Sequence, residues 1–512
     1  MDRRRLAGFI RRPSADEIRD LLASEYIHPT ADELEDLRAM VDDMLTLFDR
    51  LDDMSAPEIP VKYGDRDKGR RPTPDEDPFN AFIRRCEVKG ASSGKLAGRT
   101  VGLKDNIRVA GVPMTNGSRL LQHFVPDIDA TVTERILDAG ATIVGKLNMD
   151  DFGFAGTGET SAFGCVRNPA APEYSAGGSS GGSGSAVASG AVDIALAVDQ
   201  GGSARIPASW CGVVTIKPTH GLVPSFGITY LDHTTDFVCP MASSVRDVAI
   251  TLDAIAGDDP KDPQWVRGPI VTENYEKALD GKLSGLRVGL IKESMDPSFL
   301  EPDVGAAVHE SLEMLAQNGV SHQEVSVSFW NDARAIWNGF AAHAITAMIE
   351  SEQEGYGRLG FCDIGWQEAF ANARRTGSND FPPVLKTLMA TGRYLRREGK
   401  SLYFSKATNL RFSARAEVDR LFETVDVLVT PTTPMKAFKL LTERPSVLEM
   451  NSRAGAMCQN TYPLNVTGHP AMSVPIGRGE HGLPVGLQLI GPYFSESRLL
   501  ALAQGLEYLK GA

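Results

Sequence analysis

Several features that would narrow the class of this chain at once are scarce in it. Only 6 of its 512 residues are cysteine. Cys86, Cys165, Cys211, Cys239, Cys362 and Cys458 are scattered and form no C-x-x-C pair. That argues against a disulfide framework or a zinc ribbon, and they read as buried free thiols of a reducing, cytoplasmic compartment. No run of about 18 apolar residues occurs, which excludes a membrane-spanning helix and leaves no membrane role to expect. The opening "MDRRRLAGFIRRP" has the charge of a signal sequence, but its apolar part, "LAGFI", is too short to be one. Positive charge is in the minority: 53 Lys and Arg stand against 66 Asp and Glu, a net charge of −13. Such a surface repels phosphate backbones, so nucleic acid is not expected as a partner. What remains is ordinary globular composition, 42% hydrophobic and 23% charged, in a chain long enough to bury a large core without metal or disulfides.

The organisation follows from periodicity. Two capping boxes, Ser14-x-x-Glu17 and Thr30-x-x-Glu33, open helices. After the second, Leu34, Leu37, Val41, Met44, Phe48 and Leu51 fall on one helical face. That face is expected to dock on its own protein, with a homodimer contact as the second reading. Residues 55–80, rich in Pro, Gly and charge, read as a linker, so residues 1–75 form an expected N-terminal α-helical extension. From about residue 80 strands and helices alternate: "RTVGLKDNIRV", "TIVGKLN", "DIALAVD", "LRVGLIKES", "VDVLVTPTTP" and "LPVGLQLIG" as strands, "DATVTERILDAGA" and "DVGAAVHESLEMLAQNG" as helices. The pattern is α/β, with a central mixed or mostly parallel β-sheet flanked by helices. Residues 290–405 are helix-rich and aromatic, and suggest an inserted subdomain over a site or a peripheral helical layer.

The stretch "AGGSSGGSGSAVASG", residues 176–190, has a linker's composition but is flanked by ordered-looking sequence. A phosphate-binding loop needs a lysine after the glycines, and none follows. The overlapping G-x-S-x-G matches are what a Gly/Ser tract produces by chance, and no strand precedes them. An active-site wall, where backbone approaches other groups closely, remains. The segment "DQGGSAR" supports it: Ser203 follows Gly201 and Gly202 after an apolar strand, in a position to be a nucleophile beside an oxyanion hole. The base it needs could be a histidine, His220 being nearest in sequence, or a lysine kept neutral by burial. Lys104 in "TVGLKDNI" lies in an apolar strand pattern, which is unusual for lysine; the alternative there is an ion pair with Asp105.

At these residues the sequence resembles the amidase signature family. "VGLKDNI", "GKLNMDDFGFAGTGETSAFG", "GGSSGGSGSAVASG", "VDQGGSARIPASWCGVVTIKPTHGLVP", "VTPTTP" and "NVTGHPAMSVPIG" followed by "GLPVGLQLIG" match its blocks in order over most of residues 95–510. The resemblance implies an amidase-signature fold over residues 76–512 and a Ser–cis-Ser–Lys triad of Lys104, Ser179 and Ser203, with a cis bond between Gly178 and Ser179. It implies an oxyanion hole from the N–H groups of Gln200, Gly201, Gly202 and Ser203, and a supporting polar shell of Ser180, Ser183, Asp199 and Arg205. No metal or organic cofactor is implied. The implied activity is hydrolysis of a small carboxamide through an acyl-enzyme. Hydrazides, anilides and carbamates are alternative substrates, and the glutaminase-type A subunit of a tRNA-dependent amidotransferase is the alternative role. Gln200 is found in a subgroup of free-standing bacterial amidases with a helical N-terminal extension. Ala204, smaller than the family's usual residue, is expected to reshape the pocket. The loops near Phe152, Thr157 and residues 330–340 are expected to line it.

Overall fold

The structure, a computed structural model, describes residues 10–264, 270–441 and 446–511; most of the charged opening segment lies outside them. The chain forms two units divided after Pro60. In the first, α1 (Ala15–Ala23) and α2 (Ala31–Asp52) both begin with the expected capping boxes, and Arg12 forms ion pairs with Asp42 and Asp49. Leu34 is buried, but Met44, Phe48 and Leu51, expected on the same docked face, are exposed by 61, 47 and 55%.

The second unit is built on a sheet whose strands are, in chain order, β1 (Arg66–Arg70), β2 (Phe82–Lys89), β3 (Thr100–Lys104), β4 (Thr142–Leu147), β7 (Ile194–Asp199), β8 (Val214–Lys217), β9 (Phe237–Ala242), β10 (Arg287–Ile291), β11 (Ser321–Val325), β12 (Val427–Pro431), β13 (Ala471–Arg478) and β14 (Pro484–Ile490). β5 (Arg167–Asn168) and β6 (Ala171–Ser175) form a separate ribbon. Among the described residues the main sheet is twelve-stranded, in the order β1-β2-β4-β3-β7-β9-β8-β13-β14-β12-β10-β11. It is mixed: β3 runs parallel to β4 and β7, and β10 to β11 and β12, while the other neighbours are antiparallel. β1 lies inside the stretch read as a linker, where Arg66 and Asp67 pair with Val88 and Glu87 of β2. Its charged residues carry no alternation that would reveal a strand from the sequence.

β7 shows how the layers form. Its side chains alternate between faces. Ile194, Leu196 and Val198 enter a large core on one side; α3 (Thr131–Asp138), α6 (Val245–Ile255), α7 (Pro302–Gln317) and α14 (Glu496–Leu509) contribute to that core. Ala195 and Ala197 face the other side, where α4 (Gly181–Ala188) and α5 (Arg205–Cys211) supply Ala186, Val187 and Ala208, joined by Ala204 just before α5. Small side chains on both partners let these two helices lie close to the sheet. Ala204 therefore packs in a hydrophobic cluster and is absent from the wall of the cavity that Ser203 lines, contrary to expectation.

A third cluster is aromatic. It joins Trp330, Trp337, Phe340, Trp366 and Phe370 to Phe152, Phe154 and Trp210. Its helices are α8 (Ala333–Glu350), α9 (Ile364–Gly377), α10 (Pro383–Arg397) and α11 (Leu402–Leu421), and later α13 (Tyr462–Thr467), while the short α12 (Val447–Arg453) buries no residue. The helix-rich section is displaced from residues 290–405: residues 287–325 supply β10 and β11 to the sheet with α7 between them, and the later helices run on to Leu421. Among the described residues no helix is long and apolar enough to cross a membrane. All six cysteines are free; Cys362 is exposed and Cys165 partly so, and the other four are buried.

Candidate active site

Two parallel neighbours, β3 and β7, end at the same edge of the sheet, with Lys104 closing one and Asp199 the other. Crevices at the carboxyl ends of parallel strands are where α/β sheets place their ligands. Lys104 is 1% exposed. Its Nζ donates to Ser179 Oγ at 2.8 Å and to Val198 O at 3.2 Å. Asp105, the alternative partner considered for this lysine, instead pairs with Lys146 at 3.4 Å and accepts hydrogen bonds from Thr115. Burial pushes the Lys104 ammonium down to about 8, against the opposing pull of Asp150, Asp199 and Asp236. Asp236 is itself pushed up to about 8 by burial.

The Gly/Ser tract is packed protein, with residues 176–187 buried throughout. Ala176 N–H donates to Val166 O, Gly177 N–H to Ser175 Oγ and Gly182 N–H to Asn148 O. The peptide bond between Gly178 and Ser179 is cis. Gly178 has to be glycine because a Cβ there would overlap Asp150 Oδ2; Asp150 in turn accepts from the N–H groups of Gly158 and Thr160 at 2.9 Å each. Ser180 Oγ donates to Val198 O at 3.1 Å. Ser183 is buried in α4, and its hydroxyl has no partner among the described residues.

Ser203 belongs to the loop after β7 and is tied to the serine tract by its backbone: Ser180 N–H donates to Ser203 O at 3.0 Å. The loop is organised by Asp199. Its Oδ1 accepts from Gly202 N–H, Arg205 Nη2 and Asn465 Nδ2, each at 2.9 Å. Its Oδ2 accepts from Arg205 Nε at 3.0 Å and Ala204 N–H at 3.2 Å. Burial alone would raise the Asp199 carboxyl, but the guanidinium and amide donors outweigh it and hold the group below its ordinary value. Arg205 also donates to Gln488 Oε1 at 2.8 Å and Asn465 Oδ1 at 2.6 Å.

This geometry alters the expected set of oxyanion donors. The Gly202 N–H is engaged by Asp199, which takes it out of the set. The N–H groups of Gln200, Gly201 and Ser203 have no acceptor among the described residues. A cavity of about 280 Å³ is lined by Gln200, Gly201 and Ser203 on one side and by Phe154, Trp337, Tyr462, Val384 and Leu388 on others, with Arg334, Asn338, Thr387 and Asn451 adding polar groups. Gly153 to Gly156 line it, whereas Phe152 and Thr157 do not. His220 packs edge-on against the Phe237 ring, and its Nε2 has no hydrogen-bond partner among the described residues.

Comparison with known proteins places this arrangement. A family profile described as Amidase matches residues 82–500. The chain belongs to the amidase signature family. It is 39% identical over 436 residues to the A subunit of the glutamyl-tRNA(Gln) amidotransferase of Haloarcula marismortui, covering 84% of this chain and 99% of that protein. It is 37% identical over 468 residues to an enantioselective amidase of Rhodococcus rhodochrous, covering 90% of this chain and 88% of that one. Among solved structures it resembles the A subunit of the Thermotoga maritima glutamyl-tRNA(Gln) amidotransferase, with a TM-score of 0.68 and 31% identity over 84% of this chain and 88% of that chain.

Within this amidase signature chain, some residues at the site carried no signal of their own in the sequence. Asn465 and Gln488 lie inside matched blocks, but no spacing says that they reach Arg205 across 260 and 283 positions. Thr461 and Tyr462 precede the last block and approach the Gly201 backbone only in the folded chain.

Proposed function

We propose that this amidase signature chain hydrolyses uncharged carboxamides with apolar or aryl acyl groups, releasing a carboxylate and ammonia or an amine. Ser203 Oγ attacks the amide carbonyl carbon and gives its proton to Ser179, whose own proton passes to neutral Lys104. The proton returns through the same two groups to the leaving nitrogen as the C–N bond breaks, leaving an ester on Ser203. Water then hydrolyses that ester with Lys104 and Ser179 again moving its proton. The amides of Gln200, Gly201 and Ser203 receive the negative charge that develops on the carbonyl oxygen. The observation that carries the reading is the 2.8 Å hydrogen bond between a buried lysine and Ser179, in a chain whose next serine segment borders the cavity.

The cavity wall supports the substrate class. Phe154, Trp337, Tyr462, Val384 and Leu388 give it an apolar side, and none of its described residues is acidic. Glutamine would find Arg334 for its carboxylate, but its ammonium group would have no carboxylate in the wall to meet it. The second reading, a glutaminase-type component that works with partner proteins, is favoured by the 39% identity to an amidotransferase A subunit over 99% of that protein's length. One assay separates the two: ammonia release by the purified single chain from benzamide and from glutamine. Turnover of benzamide without any added partner is the expected result, and turnover of glutamine alone would overturn it. Ser203→Ala should lower benzamide turnover by about a thousandfold or more while leaving the thermal unfolding midpoint in place.

A further inference from the structure

The wall that an acyl group would meet and the loop that would hold the oxyanion share one side chain. Trp337 stands on α8, lines the cavity and is 8% exposed. Its Nε1–H donates to Gln200 O at 3.3 Å. In a trans peptide the C=O and the following N–H point in opposite directions, so a donor that holds the carbonyl of Gln200 also aims the N–H of Gly201. That N–H is one of those left without an acceptor among the described residues. The next peptide is held differently: Thr461 Oγ1 donates to Gly201 O at 2.6 Å, and the Gly202 N–H at its other end goes to Asp199. The Gln200–Gly201 peptide therefore depends on Trp337 where its neighbour has two anchors. The ring of Trp337 is in turn braced by Tyr462, 4.9 Å between centroids and inclined by 36°. Tyr462 covers Gly201 so closely that a Cβ there would come within 2.7 Å of a ring carbon.

We propose that Trp337 is a positioning residue that sets the Gly201 amide for the oxyanion and, through the same indole, reads the shape of the acyl group. A flat acyl group resting on the indole keeps the ring, and with it the amide, where the reaction needs them; a bulky acyl group that displaces the ring also displaces the donor. The proposal rests on the reading of Ser203 as the nucleophile.

The test removes the indole N–H. Trp337→Phe is the simple variant. Site-specific replacement by β-(3-benzothienyl)alanine keeps both rings and exchanges only N–H for sulfur, which covers the case in which Trp337→Phe fails to fold. Both should lower kcat for benzamide roughly 10- to 100-fold, as expected for a misdirected oxyanion donor. KM should move by no more than about threefold, because ground-state contacts remain. Benzeneboronic acid, which forms a tetrahedral adduct with a serine oxygen, should lose affinity by the same factor as kcat, while benzoate should not. Unchanged kcat in the benzothienyl variant overturns the proposal, as does an equal loss of boronate and benzoate affinity, the mark of a damaged pocket. Full turnover by Ser203→Ala would instead overturn the nucleophile reading and this proposal with it.

Discussion

A lysine that is to accept a proton must first lose its own, and Lys104 sits where water cannot stabilise the charge. Its ammonium is pushed down to about 8 by burial, so at pH 7 about one molecule in ten carries the neutral amine. The sign of the pH dependence follows. kcat/KM should climb by about tenfold per pH unit below pH 8 and level off above it. A pH–rate profile for benzamide flat down to pH 5 would remove Lys104 from the relay. The oddity of this lysine was legible from its place in the apolar run "TVGLKDNI", and the family resemblance implied Ser179 as its partner; the residues alone left Asp105 as an alternative. Asp105 adjoins it in sequence, but adjacent strand residues point to opposite faces, and the carboxylate turns to Lys146 and Thr115. Trp337 shows the opposite limit. It falls in the segment expected to line the pocket, and it does line the cavity, but its contact with Gln200 could not be read from the sequence.

At the scale of elements, the loop from Asp199 to Arg205 is held by a buried ion pair with both partners at 0% exposure. Arg205→Met would leave the Asp199 carboxylate buried without its charge partner. Removing one member of such a pair typically costs about 3–5 kcal/mol, so urea denaturation should show stability lowered by that amount and turnover lost at pH 7. A variant as stable as the parent would mean that Asn465 and the backbone amides hold Asp199 unaided. Elements with clear periodicity were legible: β7 alternates large and small residues because its two faces meet different helices. β1 was not, because an edge strand of charged residues is specified by its hydrogen-bonding neighbour. The limits of the helix-rich section were also missed, since residues 287–325 form two sheet strands around α7 before the run of helices from Ala333 begins.

Across the whole molecule the thiols offer a simple probe of the fold. Cys362 is exposed; Cys86, Cys211 and Cys458 are buried, and burial pushes Cys86 and Cys458 up to about 12. Native protein should therefore show Cys362 modified first and the part-exposed Cys165 more slowly, and all six should react in denaturant. Alkylation at Cys362 should leave turnover unchanged because that residue is absent from the cavity wall. Rapid native reaction of Cys458, which does line the cavity, would show that the aromatic wall opens readily.

The sequence by itself determined the strands and helices with strong period, the two capping boxes, the Gly/Ser tract that admits close backbone approach, and the blocks that mark the family. Each is written in neighbouring residues, where local sterics and side-chain alternation act. Tertiary structure alone decided which amides remain free around Ser203, that Asp199 claims the one on Gly202, and that Trp337 and Thr461 hold the carbonyls beside it. The two carbonyl contacts join positions more than a hundred residues apart, the Asp199 contact spans only three, and in each the hydrogen bond depends on distance and direction in space, which separation along the chain does not encode.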